Sequence, residues 1–330
     1  MTTPNHTRLR NVRGIGPKRY ASILARLDET GATLDELFRM TSETIKADFR
    51  IPINVAKEIA KAPEPDLEKS ESDLLAEKGV KVLKRGTENY PKRLEALLGD
   101  KAPPILYVWG NLELLEKPAV GFCGSRNVTE KGLEVAAETA QQITELGWVI
   151  VSGHARGVDA KAHKTALEYG GGTIIVAPQG IVDFKLRREL KEIAKPEQIL
   201  IISEFPPKAR WNVGYAMARN KTIIGLADAL ILVEARSKGG TFEAGQTALR
   251  LKAPLFVAHY ETSTESSAGN EYFLRRGAVR LGRSSQTGKA NIENLRQAVN
   301  SKRTKDIANG STEKDNDTVH QLPLLEIDPT

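Results

Sequence analysis

Ala119-Val120-Gly121-Phe122-Cys123-Gly124-Ser125-Arg126-Asn127 is an unbroken apolar run that ends in a glycine, a hydroxyl and a cation. Residues 119–123 offer nothing polar to water on either side, which predicts a strand buried on both faces. Residues 132–146 then carry apolar residues at helical spacing, and residues 148–151 are apolar again. Strand, glycine loop, helix and strand make the repeating unit of a parallel sheet.

Working outward, the same rhythm places further strands at residues 173–177, 199–202, 229–233 and 254–258. Helical patterns fall between them at 158–169, 184–194, 215–226 and 241–250. Residues 89–283 are therefore expected to form one α/β domain with a doubly wound, mostly parallel sheet. Residues 1–65 read instead as a small all-helical domain, with helices at 20–27, 33–40 and 55–61. The Ala62-Pro63-Glu64-Pro65 break leads into a linker, residues 66–88, with a helix at 66–78 and a short strand at 81–83. Residues 284–330 have a weak helical stretch at 292–299 and are otherwise polar; they are expected to be a disordered tail, with Leu322-Pro323-Leu324-Leu325 as a docking candidate.

The chain of 330 residues has 40% hydrophobic and 27% charged residues, the balance of an ordinary globular protein, so a rod, a collagen and a wholly disordered chain are excluded. No apolar run approaches the roughly 20 residues that span a bilayer. The first residues lack a secretory apolar core and Cys123 is the sole cysteine, so no intramolecular disulfide forms and the cytoplasm is the expected compartment. The net charge of +6 favours a polyanionic partner. It is concentrated in residues 89–283, with 26 Lys+Arg against 21 Asp+Glu. In the helical domain, Arg8, Arg10, Arg13, Lys18, Arg19 and Arg26 all precede the first acid, Asp28, which predicts one basic face.

Ligands of a doubly wound sheet bind beyond the carboxyl ends of its strands. Three loops there combine glycine, hydroxyl and cation ahead of a helix: Gly124-Ser125-Arg126-Asn127, Ser152-Gly153-His154-Ala155-Arg156-Gly157, and Ser237-Lys238-Gly239-Gly240-Thr241. Backbone N–H groups and helix dipoles at such places favour phosphate. In Arg219-Asn220-Lys221 the side chains point in different directions on a helix, so at most two face one ligand. Gly282 to Ala290 has neither the spacing nor the metal-binding hydroxyl of a phosphate-cradling Walker loop, and no dinucleotide fingerprint or nucleophile elbow is present. Asp159 and His163 share a helix face, but two ligands make no metal site; a helix cap and a brace for the loop are the expected roles. Cys123 reads as a small buried residue. No cofactor is expected.

Six landmarks occur in register: Tyr90-Pro91; Pro103-Pro104-Ile105-Leu106-Tyr107-Val108-Trp109-Gly110; Gly124-Ser125-Arg126; Ser152-Gly153-x-Ala155-x-Gly157-x-Asp159-x-x-Ala162-His163; Ser203-Glu204-Phe205-Pro206; and Arg219-Asn220-Lys221-x-Ile223-x-Gly225-Leu226. Over residues 89–281 this order resembles the DprA/Smf family of DNA-processing proteins. The resemblance implies a Rossmann-like domain that binds single-stranded DNA, forms a homodimer, loads the recombinase RecA and acts in natural transformation, DNA uptake or recombination, without being an enzyme. It implies that Arg126, with Gly124 and Ser125, holds a phosphate, that Ser152, Gly153 and Gly157 shape the neighbouring pocket, and that Arg219 and Lys221 line the same groove; the loop compositions add Arg156, Asn220, Gly239, Gly240 and Thr241 as phosphate contacts, with Asp159, His163, Glu204 and Glu243 supporting them.

Val12-Arg13-Gly14-Ile15-Gly16-Pro17-Lys18-Arg19 resembles the hairpin of a helix-hairpin-helix (SAM-like) module, implying contact of Gly14, Gly16, Lys18 and Arg19 with DNA, duplex included. Residues 49–56 look like a degenerate second copy, with Pro52 at a glycine position. Lys238-Gly239-Gly240-Thr241-Phe242-Glu243 departs from the family pattern and is similar to nucleotide-binding SLOG and LOG-type proteins. The competing expectation is accordingly a nucleotide sensor or nucleotide N-glycosidase using Glu243 or Glu204 as acid/base.

Overall fold

The structure, a computed structural model, describes residues 4–62, 71–262 and 264–314. Its strands are β1 (Lys81–Lys84), β2 (Ile105–Gly110), β3 (Ala119–Cys123), β4 (Val149–Ser152), β5 (Thr173–Val176), β6 (Ile199–Ser203), β7 (Ala229–Leu232), β8 (Leu255–Ala258) and β9 (Val279–Leu281). They form one sheet in the order β1-β2-β6-β5-β4-β3-β7-β8-β9. From β6 to β9 every pairing is parallel, while β1 and β2 add an antiparallel extension. The expected doubly wound, mostly parallel sheet is present, and it starts at Lys81.

Alternation along the strands sorts side chains onto two faces. Leu106, Val108, Val151, Ile174, Leu200, Ile202, Leu230 and Leu232 pack under the helices Lys92–Leu98, Asn220–Leu226 and Gly240–Arg250. The opposite face has two covers. Val120, Phe122, Ile150 and Ile231 meet the helices Glu130–Glu145, Val158–Glu168 and Glu293–Lys314. Ile105, Tyr107, Ile175 and Ile201 share a cluster with Leu9, Tyr20, Ile23 and Ile59, so the N-terminal helices are packed onto the sheet.

At the amino ends of β3 and β7 a buried clamp joins the two halves. Arg93 pairs with Asp228 at 3.3 Å and donates to the carbonyls of Leu226, Leu115 and Lys117. Asp228 Oδ2 also accepts from the Ala119 amide at 2.8 Å.

The structure adds helices not expected from the sequence, among them Pro4–Asn11, Ser42–Phe49 and Lys92–Leu98, and differs from expectation elsewhere too. Residues 105–110 are a central-length strand, and three residues at 279–281 an edge strand, neither read as such from the sequence. Residues 184–194 are helical only at Arg188–Lys191, because the Arg187 amide and guanidinium are drawn to the His154 ring and carbonyl. The helix expected at 215–226 breaks at Arg219 into Val213–Ala218 and Asn220–Leu226. The start of the expected disordered tail is instead the helix Glu293–Lys314, with Leu295 and Val299 buried against the sheet. Residues 315–330, with the docking candidate Leu322-Leu325, lie outside the described residues, as do linker residues 63–70.

Candidate functional site

Strands β3 to β6 run outward to one side of the sheet, whereas β7, beside β3, leads to β8 and β9 on the other. Loops leaving β3 and β7 therefore diverge, and a crevice opens between them beyond the strand ends. Its volume is about 460 Å³. Cys123 and Glu234 form the floor, residues 124–127 and 236–241 two walls, and residues 211–220 a third.

The first wall is held by glycines. A Cβ at Gly124 would overlap the Val158 side chain, and one at Gly157 would strike the Ser125 carbonyl. Gly157 also has φ +81°, a conformation that suits glycine. With these contacts the Val158 amide reaches the Ser125 carbonyl at 3.4 Å, the Asn127 amide donates to Ser125 Oγ at 3.1 Å, and the Arg126 side chain is left exposed over the crevice.

Arg219 enters from the third wall. Asn212 Oδ1 caps the helix Val213–Ala218 through the Tyr215 amide, and the chain turns at Arg219 before the next helix begins. Its guanidinium is buried against Gly153, 3.6 Å from Asp159 Oδ2, and its Nε has no hydrogen-bond partner. Asp159 also accepts from the Ala155 amide at 3.2 Å. Burial pushes the Asp159 carboxyl up against the opposing pull of Arg219. Asn220 Nδ2 donates to the Gly240 carbonyl at 3.2 Å, fixing the Gly239-Gly240 turn, where Gly239 has φ +103°. The helix Gly240–Arg250 starts there without a side-chain cap, so its amide end faces the crevice.

The loop before that helix adds Arg236 and Lys238. It is anchored by Asn270, whose Oδ1 accepts from the Ala235 amide and whose Nδ2 donates to the carbonyls of Val233 and Ala258. Among the described residues, Arg126, Arg236 and Lys238 have no carboxylate ion-pair partner. The floor carboxylate of Glu234 is engaged by Thr129 through both its amide and hydroxyl. Burial pushes the Cys123 thiol up to about 12, which leaves it unreactive at neutral pH. No metal-binding group of His, Cys, Asp or Glu occurs among the described residues.

Of the expected site residues, Gly124, Ser125, Arg126, Asp159, Arg219, Asn220, Gly239, Gly240 and Thr241 line this one crevice. Ser152, Gly153, Gly157 and His163 lie beneath it. Ser152 Oγ donates to the Phe122 carbonyl at 2.7 Å. His163 bridges Thr173 Oγ1 and the Gly153 carbonyl, each at 2.6 Å. Because a carbonyl only accepts, Nε2 carries the proton and Nδ1 accepts from Thr173; burial pushes this imidazole down to about 4 and keeps it neutral.

Arg156 is exposed but does not line the crevice. Lys221 does not share the wall of Arg219: it faces a second cavity, where Glu204 also lies. Glu204 is buried and accepts from Thr222 Oγ1 at 2.5 Å. Glu243 is exposed outside the crevice, so neither carboxylate expected for nucleotide hydrolysis reaches it. Lys238 is the cation of the expected third loop, whereas Arg236 and Asn270 were not anticipated: Arg236 lies just before that loop, and Asn270 acts across the fold and leaves no local signal.

In the helical domain, Pro4–Asn11 and Pro17–Thr30 flank the glycine turn. Gly14 has φ +93°, and Arg19 donates to its carbonyl. Gly16, Lys18 and Arg19 border a groove of about 800 Å³ that Arg50 of the second hairpin also lines.

The profile of the family described as DNA recombination-mediator protein A matches residues 81–290. The DNA processing protein DprA of Bacillus subtilis (strain 168) is 28% identical over 206 residues, 61% of this chain and 68% of that protein. The Smf protein of Synechocystis sp. (strain ATCC 27184 / PCC 6803 / Kazusa) is 30% identical over 208 residues, covering 61% of this chain but only 52% of that relative. Among solved structures, DprA from Streptococcus pneumoniae shares the fold, with TM-score 0.68 and 24% identity over 85% of this chain and 95% of that one. DprA from Helicobacter pylori, described for its single-stranded DNA binding mode, gives TM-score 0.53 and 28% identity over 69% of this chain and 96% of that one.

Proposed function

The chain belongs to the DNA recombination-mediator protein A family, and on that premise we propose that its switch-point crevice holds the phosphate backbone of single-stranded DNA. One observation carries this reading. Three cations without carboxylate partners among the described residues, Arg126, Arg236 and Lys238, surround the same crevice as buried Arg219 and the open amide end of a helix. Such an arrangement attracts successive phosphates without reading bases.

The crevice suits binding better than hydrolysis. Its two acids, Asp159 and Glu234, are already committed to an arginine and to Thr129, and Glu243 stands outside. In this reading the protein performs no chemistry on the strand. The single-stranded DNA binding described for the Helicobacter pylori relative supports the substrate, and the family description supports a mediator role in recombination. Passing the bound strand to RecA is part of this proposal. A homodimer, a cytoplasmic site of action and a part in transformation or recombination belong to the same proposal. Among the described residues no helix is long and apolar enough to cross a membrane.

Titration of labelled single-stranded and duplex oligonucleotides at two ionic strengths tests the reading. Single strands are expected to bind more tightly, and both to weaken steeply with salt. A salt-insensitive preference for a free nucleotide would contradict it. Sedimentation of the complex with and without RecA tests the mediator role.

A further inference from the structure

Strand β6 ends at Ser203, and the tip Ser203-Glu204-Phe205 grips the chain on both sides of the Arg219 turn. Ahead of the turn, the Phe205 ring is stacked on Tyr215 of the helix Val213–Ala218, with centroids 4.0 Å apart and planes 14° from parallel. Beyond it, the Glu204 carboxylate accepts from Thr222 Oγ1 at 2.5 Å, near the start of the helix Asn220–Leu226. Glu204 is 7% exposed and Thr222 fully buried, so water does not compete for that hydrogen bond. The tip is itself fixed. Ser203 Oγ donates to the Gln179 carbonyl at 2.7 Å and accepts from the Phe205 amide at 3.1 Å. From the helical domain, Arg10 donates to the Glu204 carbonyl. None of Arg10, Glu204, Phe205 and Thr222 lines the crevice.

Residues 215–226 carry the apolar spacing of one continuous helix, yet the chain breaks at Arg219. The two grips hold the helices on either side of the break, and with them the backbone from which Arg219 extends to Gly153 and to Asp159, 3.6 Å away. We propose that Glu204 is a positioning residue for strand binding. Its carboxylate holds the helix that follows Arg219, and Arg10 ties the same residue to the helical domain. A domain with no residue in the crevice thereby sets the place of the buried cation inside it. This rests on the crevice reading and gives a role to two charged residues which that reading leaves unused. Without the Thr222 hydroxyl a buried acceptor is left unpaired, which drives the segment to rearrange.

Titration of the full chain with oligo-dT at one salt concentration provides the test, with Arg126→Ala as the reference for the crevice itself. Thr222→Val keeps the shape and removes the donated proton; Arg10→Met removes the guanidinium. Thr222→Val should weaken binding about tenfold and Arg10→Met about threefold, whereas Thr222→Ser, which keeps the hydroxyl, should restore wild-type affinity. Circular dichroism and thermal melts establish that each variant is folded at the titration temperature, and should Thr222→Val not fold, Arg10→Met carries the test. In an Arg219→Lys background neither substitution should cost more than about a further twofold, because the contact they position is already lost. Wild-type affinity in either folded variant overturns the proposal, as does unchanged affinity in Arg219→Lys. Losses that multiply in full with that of Arg219→Lys overturn it too, since they would mark an effect exerted elsewhere, including direct contact of Arg10 with the strand. If Arg126→Ala binds as tightly as wild type, the crevice reading fails first and the positioning role with it.

Discussion

Arg219 rests its guanidinium on Gly153, the one residue type that leaves room for it: a Cβ at that position would overlap both terminal nitrogens. The arrangement places a buried cation beside Asp159 in a crevice also lined by Arg126, Arg236 and Lys238, which have no carboxylate partner among the described residues. Charges buried this far from water require partners, and Arg219 keeps its Nε without one. An anion in the crevice would complete the set.

Two alanine substitutions separate site geometry from loop geometry. In Gly153→Ala the obstacle is the far end of a flexible side chain, so Arg219 should move aside, with a melting temperature lowered by only a few degrees and oligonucleotide affinity reduced about tenfold. In Gly157→Ala the obstacle is the Ser125 backbone and φ is +81°, so strain of about 1–3 kcal/mol is added to the collision. Affinity should fall there too, but with a clearly larger loss of stability. Thermal melts beside fluorescence titrations check both.

Arg93→Ala should cost about 3–5 kcal/mol, because it leaves Asp228 buried without its cation and frees three carbonyls. The clamp lies at the amino ends of β3 and β7, away from the crevice. Urea unfolding should therefore show the loss, whereas strand affinity below the unfolding transition should stay within about twofold of wild type.

His163 should titrate near pH 4, not 6.5, and remain the Nε2–H tautomer at pH 6; imidazole NMR shifts read both. Its lowered native pKa means that the unfolded chain takes up a proton first as pH falls. Stability attributable to His163 is thus complete above about 6.5 and lost progressively down to about 4. The buried carboxyls of Asp159 and Glu204, pushed up by burial, act in the opposite sense in acid. Glutamine at this position can both donate to Gly153 and accept from Thr173 and does not titrate, so wild type should lose stability relative to His163→Gln as pH falls through that window.

Much of the architecture was legible because parallel strands buried on both faces are apolar throughout. The expected runs at 119–123, 148–151, 173–177 and 199–202 lie within a residue of β3, β4, β5 and β6. The edges were less legible. Val279 and Arg280 are exposed on a three-residue strand, so β9 has no apolar pattern to detect. The break at Arg219 was hidden because the apolar spacing runs through it, and only the Asn212 cap and the Asn220 contact to Gly240 mark the turn. At the site, glycines, hydroxyls and cations after strands named most of the crevice lining. Sequence order could not tell that Arg219 and Lys221, two residues apart, open onto different cavities, nor that Asn270 holds the loop of Arg236 from another part of the fold.

The most direct measurement is the salt dependence of single-strand affinity in wild type and in Arg126→Ala, Arg236→Ala and Lys238→Ala. Each substitution should reduce the magnitude of the log–log slope by about 0.7, and the triple variant by about 2, as phosphates lose their partners. Slopes identical to wild type in all four variants would place the strand elsewhere and contradict the account.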